Sequence, residues 1–247
     1  MSAPHLTKET WFFDDFFAPA TKADDRLEDC NAIMQGRSIL DEAKIDGHPF
    51  FLYATSSRES LRVWAMQESV VTNHFSQVLF AMLALINNVH VRSILVPVVW
   101  DEHSSLRNGV AFRSHPQLLA NLIADLGIEK SKIKPLPFTL RFADLLTDSI
   151  SSLLYALGVL GIGNESMLIP EYIAVEKAFA AHYPKKLYSP FLRANIEEDK
   201  THSRLLEVAA ACLIRNHDDE NEYVRGAHEG VNGRLQYYDA LLSHCQT

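Results

Sequence analysis

The sequence predicts an all-α fold in a single domain that spans residues 1–247. Three observations support this prediction. Almost every long segment repeats its apolar residues with a period near 3.6, no segment shows the sustained alternation of a half-buried strand, and no Ser-, Gly- or Pro-rich linker divides the chain. A chain of this length can bury roughly 70–75% of the surface that its unfolded form exposes. We therefore expect one bundle of long helices.

The helices are predicted from the apolar periodicity and from the residues that begin and end them. Ser114 and Pro116 are typical of a helix start, and Gly127 is typical of a helix end. Pro97 and Pro170 fall within or near helical patterns and predict kinks or breaks. The predicted helices span residues 22–45, 56–95, 97–104, 115–127, 138–162, 164–182, 187–216 and 219–245.

The composition is that of an ordinary soluble globular protein, with 47% hydrophobic and 22% charged residues. The formal net charge of -8 and the absence of a basic run argue against nucleic acid as a partner. The longest apolar runs, residues 79–86 and 94–100, are far shorter than the roughly 20 residues that cross a bilayer, so we expect no membrane partner.

The cysteines and the N-terminal residues favour a cytoplasmic protein. Cys30, Cys212 and Cys245 are odd in number and far apart, which does not suit a disulfide framework. Acidic residues interrupt the apolar residues near Met1, where a signal peptide needs an unbroken apolar run. We therefore expect a protein of a reducing compartment.

The predicted helix at 187–216 carries polar residues on its apolar face. Asn195, Asp199 and His202 are spaced i, i+4 and i+7, and they fall within an arc of roughly 60° that Phe191 and Leu206 share. Burying an ionised carboxylate is costly unless it is paired or bound to a metal. Helical bundles build metal sites from such inward carboxylates and imidazoles. Alternatively, the Asp and the His satisfy each other or cap a neighbouring helix.

Further acids and imidazoles lie at helix ends and on inward faces. Glu102 follows a strongly apolar run, His115 opens the next helix, and Glu165 shares a face with Leu168 and Tyr172. The alternatives are a solvated Asp101–Glu102 pair, an N-terminal His115, and a first-turn glutamate that favours the helix dipole. Nearby glycines at 158, 161 and 163 would allow close approach of a neighbouring backbone or a ligand.

In their order and spacing, these residues resemble the haem-oxygenase-like di-metal oxidases, the CADD-like iron enzymes related to TenA and PqqC. The family pattern is Glu…His, then Glu on the next long helix, then His-x-x-x-Asp-x-x-His. Over about residues 60–210, the matching metal ligands are Glu102, His115, Glu165, Asp199 and His202. The resemblance implies a haem-oxygenase-like helical bundle whose metal-site core spans about residues 60–215.

Two features depart from the family pattern. Asn195 stands where the family has the first His of its triplet, and an amide oxygen is a weaker iron ligand than an imidazole. Glu198 lies three residues after Asn195 and could flank the same site. In addition, the spacing from Glu102 to His115 is longer than that of a CADD-like member.

The resemblance implies a non-haem diiron enzyme that activates O2 as its co-substrate. Two Fe(II) per chain are expected, one of them labile because of Asn195. A ligand set of three carboxylates and two imidazoles suits Fe or Mn. Structural zinc is instead held mainly by thiolates. Family members oxidise small metabolites in biosynthesis, and the implied substrate is amino-acid-like or fatty-acid-like. The implied reactions are N-oxygenation, C–C cleavage and a nitrile-forming rearrangement.

Substrate-binding candidates come from inward aromatic residues and from arginines. Tyr155, Tyr172, Phe75 and Trp64 are candidates for the cavity lining, although each also suits an ordinary core position. Arg141 or Arg193 could hold a substrate carboxylate.

The sequence is also compatible with three other functions. A metal-free hydrolase of the TenA type needs a cysteine nucleophile near inward acids, and the three cysteines do not suit this role. A metal-free PqqC-like oxidase needs basic cavity residues, which the pattern does not identify. A non-catalytic helical binding protein that has lost a metal ligand is favoured by Asn195. A small-molecule substrate is expected, and the resemblance also implies a homodimer.

Overall fold

The structure, a computed structural model, describes residues 27–103, 106–107, 110–111, 114–183 and 189–247. It confirms the all-α fold. The α-helices are α1 Asn31–Ala43, α2 Pro49–Ala54, α3 Arg58–Leu85, α4 Val89–His103, α5 His115–Asp125, α6 Pro137–Ser149, α7 Leu153–Leu157, α8 Met167–His182, α9 Pro190–Leu213 and α10 His217–Gln246. Short 3-10 turns occupy Ile45–Gly47 and Lys130–Lys132. A small antiparallel hairpin, β1 Leu106–Arg107 and β2 Val110–Ala111, lies between α4 and α5.

Side-chain caps start several of the long helices. Ser57 accepts a hydrogen bond from the Ser60 amide at the start of α3, and Ser189 accepts one from the Leu192 amide at the start of α9. Asn216 caps α10 by accepting from two amides of its first turn. These short polar side chains satisfy backbone donors that a helix start leaves without a partner.

The predicted helix at 56–95 is wrong, because the chain forms two helices there. α3 ends at Leu85, and the side-chain oxygen of Asn88 accepts hydrogen bonds from the amides of His90 and Val91 at the start of α4. Pro97 lies inside α4 and does not begin a helix at residue 97. The apolar pattern runs on through the break, so periodicity alone does not reveal it.

The predicted boundary at residue 163 is also wrong. A π-helical segment, Gly158–Ser166, joins α7 to α8, and Pro170 lies inside α8. The resulting continuous helix, Leu153–His182, is long and apolar enough to cross a membrane, but 78% of its most apolar window is buried inside the protein. It is therefore a core helix of the bundle.

Glycines let this central helix approach α10 closely. A Cβ added at Gly158 would overlap the backbone of α10 at Tyr223, and one added at Gly163 would overlap the backbone of Gly230. The prediction of a close backbone approach is confirmed at Gly158 and Gly163, where the neighbour is α10, whereas Gly161 faces the side chain of Leu206. The contact fixes the π segment, which carries Glu165, at the centre of the bundle.

Candidate metal centre

Four of the predicted metal ligands converge from separate helices. Glu102 is the penultimate residue of α4, His115 is the first residue of α5, Glu165 lies in the π segment, and His202 lies in α9. All four side chains are buried, and Glu165 and His202 have no exposed surface at all. π-helical segments occur frequently at functional sites, which is consistent with the position of Glu165.

The distances place these side chains around one point. The Nδ1 atom of His115 lies 2.7 Å from the Oε1 atom of Glu102, and the Nδ1 atom of His202 lies 3.6 Å from the Oε2 atom of Glu165. Glu102, Glu165 and His202 each offer one ligand atom, and these atoms lie within 4.8 Å of one another. One cation could therefore contact all three.

The hydrogen bonds of the buried side-chain oxygens show whether these residues fit a metal. Both carboxylate oxygens of Glu165 lack a hydrogen-bond partner among the described residues, and so does the side-chain oxygen of the adjacent Asn164. A buried carboxylate without compensation is costly, and a cation is the usual compensation. Because the donors are carboxylate oxygens and imidazole nitrogens, they fit iron.

The two carboxyl groups of the centre have opposite pKa shifts. Burial raises the pKa of Glu165, and the neighbouring His202 only partly offsets this effect. Burial also acts to raise the pKa of Glu102, but the charge of His115 and its hydrogen bond outweigh burial and hold that pKa below its ordinary value. His115 therefore outweighs the effect of burial on Glu102, whereas His202 offsets the effect of burial on Glu165 only in part.

Asp101 also belongs to this centre, although the sequence pattern suggested for it only a place in a solvated pair with Glu102. Its Oδ2 atom lies 3.4 Å from the Nε2 atom of His202, whose other ring nitrogen faces Glu165. A carboxylate on one ring nitrogen fixes the orientation of a histidine whose other nitrogen binds a metal. The feature of the sequence that could have indicated this role is that Asp101 is adjacent to the predicted ligand Glu102.

Asn195 lines a small cavity together with Glu102 and Glu165, and its assignment as a weaker ligand stays a prediction. Asn195 is buried, and its side-chain nitrogen donates a hydrogen bond to the carbonyl oxygen of Phe191 at 2.7 Å. This bond leaves the amide oxygen as the atom that Asn195 can offer to a cation. The side chains of Asp199 and Glu198 lie outside the described residues, so their assignment as ligands stays a prediction.

A small cavity adjoins the centre. Its wall includes the ligands Glu102 and Glu165 and two of the predicted substrate-binding residues, Phe75 and Tyr172. The rest of the wall combines two apolar side chains with four polar ones. The complete lining is Glu68, Val71, Thr72, Phe75, Glu102, Asn164, Glu165, Leu168, Tyr172 and Asn195.

The other predicted substrate-binding residues lie outside this lining. Tyr155 donates a hydrogen bond of 2.5 Å to Glu229, on the side of the bundle where α7 packs against α10. Arg141 is exposed, and the half-exposed Arg193 pairs with Glu176 at 3.0 Å. Both arginines are exposed and do not line this cavity, so a role for them in substrate binding stays a prediction.

A second buried polar cluster adjoins the cavity and shares Glu68 and Tyr172 with its lining. The guanidinium of Arg234 is fully buried and donates to Glu171 at 2.8 and 2.5 Å and to Glu68 at 2.8 Å. Tyrosine hydroxyls also donate to these carboxylates: Tyr172 to Glu68 at 3.1 Å, and Tyr238 to Glu171. Burial raises the pKa of Glu171 to about 7, although Arg234 opposes this shift.

The apolar pattern of the sequence did not predict this cluster. Its acids and its arginine lie on three different helices, α3, α8 and α10. One signal was available, because Glu68 lies one helical turn after Trp64 and two turns after Leu61, on an apolar face. Pairing it with Arg234, which is 166 residues away, requires the tertiary structure.

Comparisons with known proteins agree with this geometry. Residues 62–234 match the sequence profile of a family described as iron-containing redox enzymes. A crystal structure of a CADD-like protein of unknown function from Nostoc punctiforme is similar, with a TM-score of 0.70 and 16% identity over 87% of this chain and 100% of that chain. A second structure of the Nostoc punctiforme protein gives a TM-score of 0.65 and 14% identity over 86% and 96% of the two chains. No curated protein matches the sequence.

Proposed function

The chain belongs to the iron-containing redox enzyme family, and from this premise we propose that it is a non-haem diiron oxidase that activates O2. The observation that carries the proposal is the convergence of Glu102, Glu165 and His202 on one buried point, together with the unpartnered oxygens of Glu165. A protein without a cation here would bury the Glu165 carboxylate at a cost that His202 offsets only in part.

The proposed ligands have separate roles. Glu102 and His115 hold each other in place at the junction of α4 and α5, and Glu165 and His202 face them from the π segment and α9. Asp199 would complete the set, and Asn195 would supply an amide oxygen or leave one of two iron positions labile. When bound, the irons would supply the activation of O2. The surrounding protein excludes water and holds the carboxylates in place.

The lining of the cavity supports an apolar group in the substrate. Val71, Phe75 and Leu168 form an apolar wall beside the ligands, and no Lys or Arg belongs to the lining within the described part of the chain. Of the two implied substrate classes, a fatty-acid-like molecule that presents its alkyl chain to the metal centre suits this wall better than a small charged amino acid. We propose oxidation of such a metabolite.

Oxygen consumption tests the proposed activity. Protein loaded anaerobically with Fe(II) is mixed with O2, and O2 uptake and optical absorbance are followed. We expect uptake together with a transient absorbance in the wild type, and loss of both in Glu165→Gln and His202→Gln. Asp144→Asn, an exposed acid on α6, serves as the matched control and should behave as the wild type. Uptake that survives both ligand changes would refute the assignment.

The alternative function is a metal-free binding protein, and Asn195 is the observation that favours it. In that case the wild type would neither retain iron nor consume O2, and a small apolar ligand would occupy the cavity. A cysteine-dependent hydrolase has less support, because the three half-buried cysteines do not belong to the lining of the cavity.

A further inference from the structure

We propose that Tyr172, Trp64 and Tyr238 form a relay that carries single electrons between the cavity of the metal centre and the protein surface. The proposal rests on the proposed function, because it supplies electrons to a centre that activates O2. The three side chains belong to α8, α3 and α10, and each of them has at most 1% of its surface exposed.

The three rings form a continuous path. Tyr172 lines the cavity together with Glu102 and Glu165. Its ring centroid lies 6.0 Å from that of Trp64, and the two rings meet edge to face. The indole nitrogen of Trp64 donates a hydrogen bond of 3.1 Å to the hydroxyl of Tyr238. Tyrosine and tryptophan are readily oxidised by one electron, and electron transfer is fastest between adjacent rings.

The hydroxyl groups distinguish this path from an ordinary aromatic core. Each tyrosine donates its hydroxyl hydrogen to a buried carboxylate, Tyr172 to Glu68 at 3.1 Å and Tyr238 to Glu171. Packing needs no such carboxylates, and burying them is costly. A phenol that loses an electron must also lose its proton, and each carboxylate is placed to take that proton and return it.

Arg234 keeps both acceptors in place. Its guanidinium bonds to Glu68 and to Glu171, so the two proton acceptors share one buried cation. The raised pKa of Glu171, about 7, suits a group that takes up and returns a proton near neutral pH. The cluster therefore couples the movement of a proton at each tyrosine to the movement of an electron.

The transfer balances at every step. Tyr172 would give one electron to the oxidised metal centre, and its proton would move to Glu68. Trp64 then reduces the Tyr172 radical, and the proton returns from Glu68. Tyr238 reduces the oxidised Trp64 and gives its proton to Glu171. An external one-electron donor finally reduces Tyr238, which recovers its proton. One electron has moved from the donor to the centre, and no proton is consumed along the relay.

The outer end of the relay lies one layer below the surface. Tyr238 packs against the rings of Phe51 at 4.8 Å and His48 at 5.7 Å between centroids. The Nε2 atom of His48 lies 3.2 Å from a carboxylate oxygen of Asp239, whose side chain is 73% exposed. We expect the one-electron donor to approach this face.

Electron paramagnetic resonance tests the relay without measuring turnover. Protein loaded with Fe(II) is exposed to O2 without substrate, frozen at intervals, and examined for an organic radical, with ring-deuterated tyrosine to assign it. Iron content is measured on the same samples. We expect a tyrosyl radical in the wild type. Tyr172→Phe should abolish the radical and retain iron, whereas Trp64→Phe and Tyr238→Phe should confine it to Tyr172 and slow its reduction by added ascorbate several-fold.

Tyr223→Phe is the matched control. Tyr223 is as deeply buried on α10 as Tyr238, but its hydroxyl has no hydrogen-bond partner among the described residues and it lies outside the path. This variant should show the wild-type radical. Iron uptake and O2 consumption without a radical in the wild type would overturn the relay alone, as would a radical that survives Tyr172→Phe. A wild type that binds no iron would overturn the proposed function and the relay together.

Discussion

At the residue scale, the burial of Glu165 and His202 and their hydrogen-bond partners together indicate a metal site. Both side chains are fully buried, but the histidine has an acid beside each ring nitrogen, whereas the carboxylate of Glu165 accepts no hydrogen bond within the described residues. Burial raises the pKa of Glu165, which means that the charged form is disfavoured in the metal-free protein. The residue is thus costly without a cation and suited to binding one.

Glu165→Gln should stabilise the metal-free protein. The pKa of Glu165 is raised in the folded state, so its contribution to stability is complete below its ordinary pKa of 4.5 and is lost as the pH rises through the raised value. The amide does not ionise, and we expect the variant to gain about 1–3 kcal/mol in unfolding free energy at neutral pH. Urea denaturation at several pH values measures this gain. A variant less stable than the wild type above pH 7 would contradict the prediction.

Asp101→Asn should weaken iron binding without removing a ligand. The carboxylate of Asp101 lies 3.4 Å from the Nε2 atom of His202 and fixes the orientation of that ring. Loss of such a partner typically costs about 10–100-fold in metal affinity. A competitive chelator titration compares the variant with the wild type and with Asp144→Asn. Equal affinities in all three proteins would show that Asp101 does not orient His202.

At the element scale, the π segment determines where Glu165 points. The segment lies against α10 through paired glycines, so the backbone of Gly163 meets the backbone of Gly230 without intervening side chains. The sequence predicted a close approach here but placed a helix boundary at residue 163. The reason is that a π-helix changes the register of the hydrogen bonds from i→i+4 to i→i+5 without leaving a break in the apolar pattern.

Gly163→Ala should destabilise the fold and disturb the centre. Its Cβ would overlap the backbone of Gly230, which cannot move aside as a flexible side chain could. Overpacking of this kind typically costs about 1–3 kcal/mol. Thermal denaturation and iron retention measure both effects. Gly47→Ala is the control, because a Cβ added at Gly47 meets nothing within 4 Å. Equal stability of the two variants would exclude a tight glycine contact.

At the scale of the whole molecule, the sequence predicted the faces of helices better than their ends. The inward positions of Glu165, Asn195 and His202 follow from helical periodicity, and the order of the ligands predicted the family. The helix break before α4 depends on the cap at Asn88, and the cluster around Arg234 depends on which distant helices pack together. Neither is encoded in a local pattern of apolar residues.

The metal centre should also contribute to the stability of the whole protein. Its ligands come from α4, α5, the π segment and α9, so a bound cation links four parts of the fold. A ligand present at about 100 times its dissociation constant stabilises the folded state by about 2.7 kcal/mol. Anaerobic addition of Fe(II) should therefore raise the melting temperature of the wild type and leave that of His202→Gln unchanged. An equal rise in both proteins would indicate non-specific binding.

The iron content of the purified protein tests the central claim most directly. Protein is loaded anaerobically with Fe(II), desalted, and analysed for iron per chain, in parallel with Glu165→Gln and Asp144→Asn. We predict about two irons per chain in the wild type and in Asp144→Asn, falling towards one on prolonged desalting as the labile position next to Asn195 empties, and a large loss in Glu165→Gln. A wild type that retains no iron, or a Glu165→Gln variant that retains as much as the wild type, would contradict the assignment of this centre.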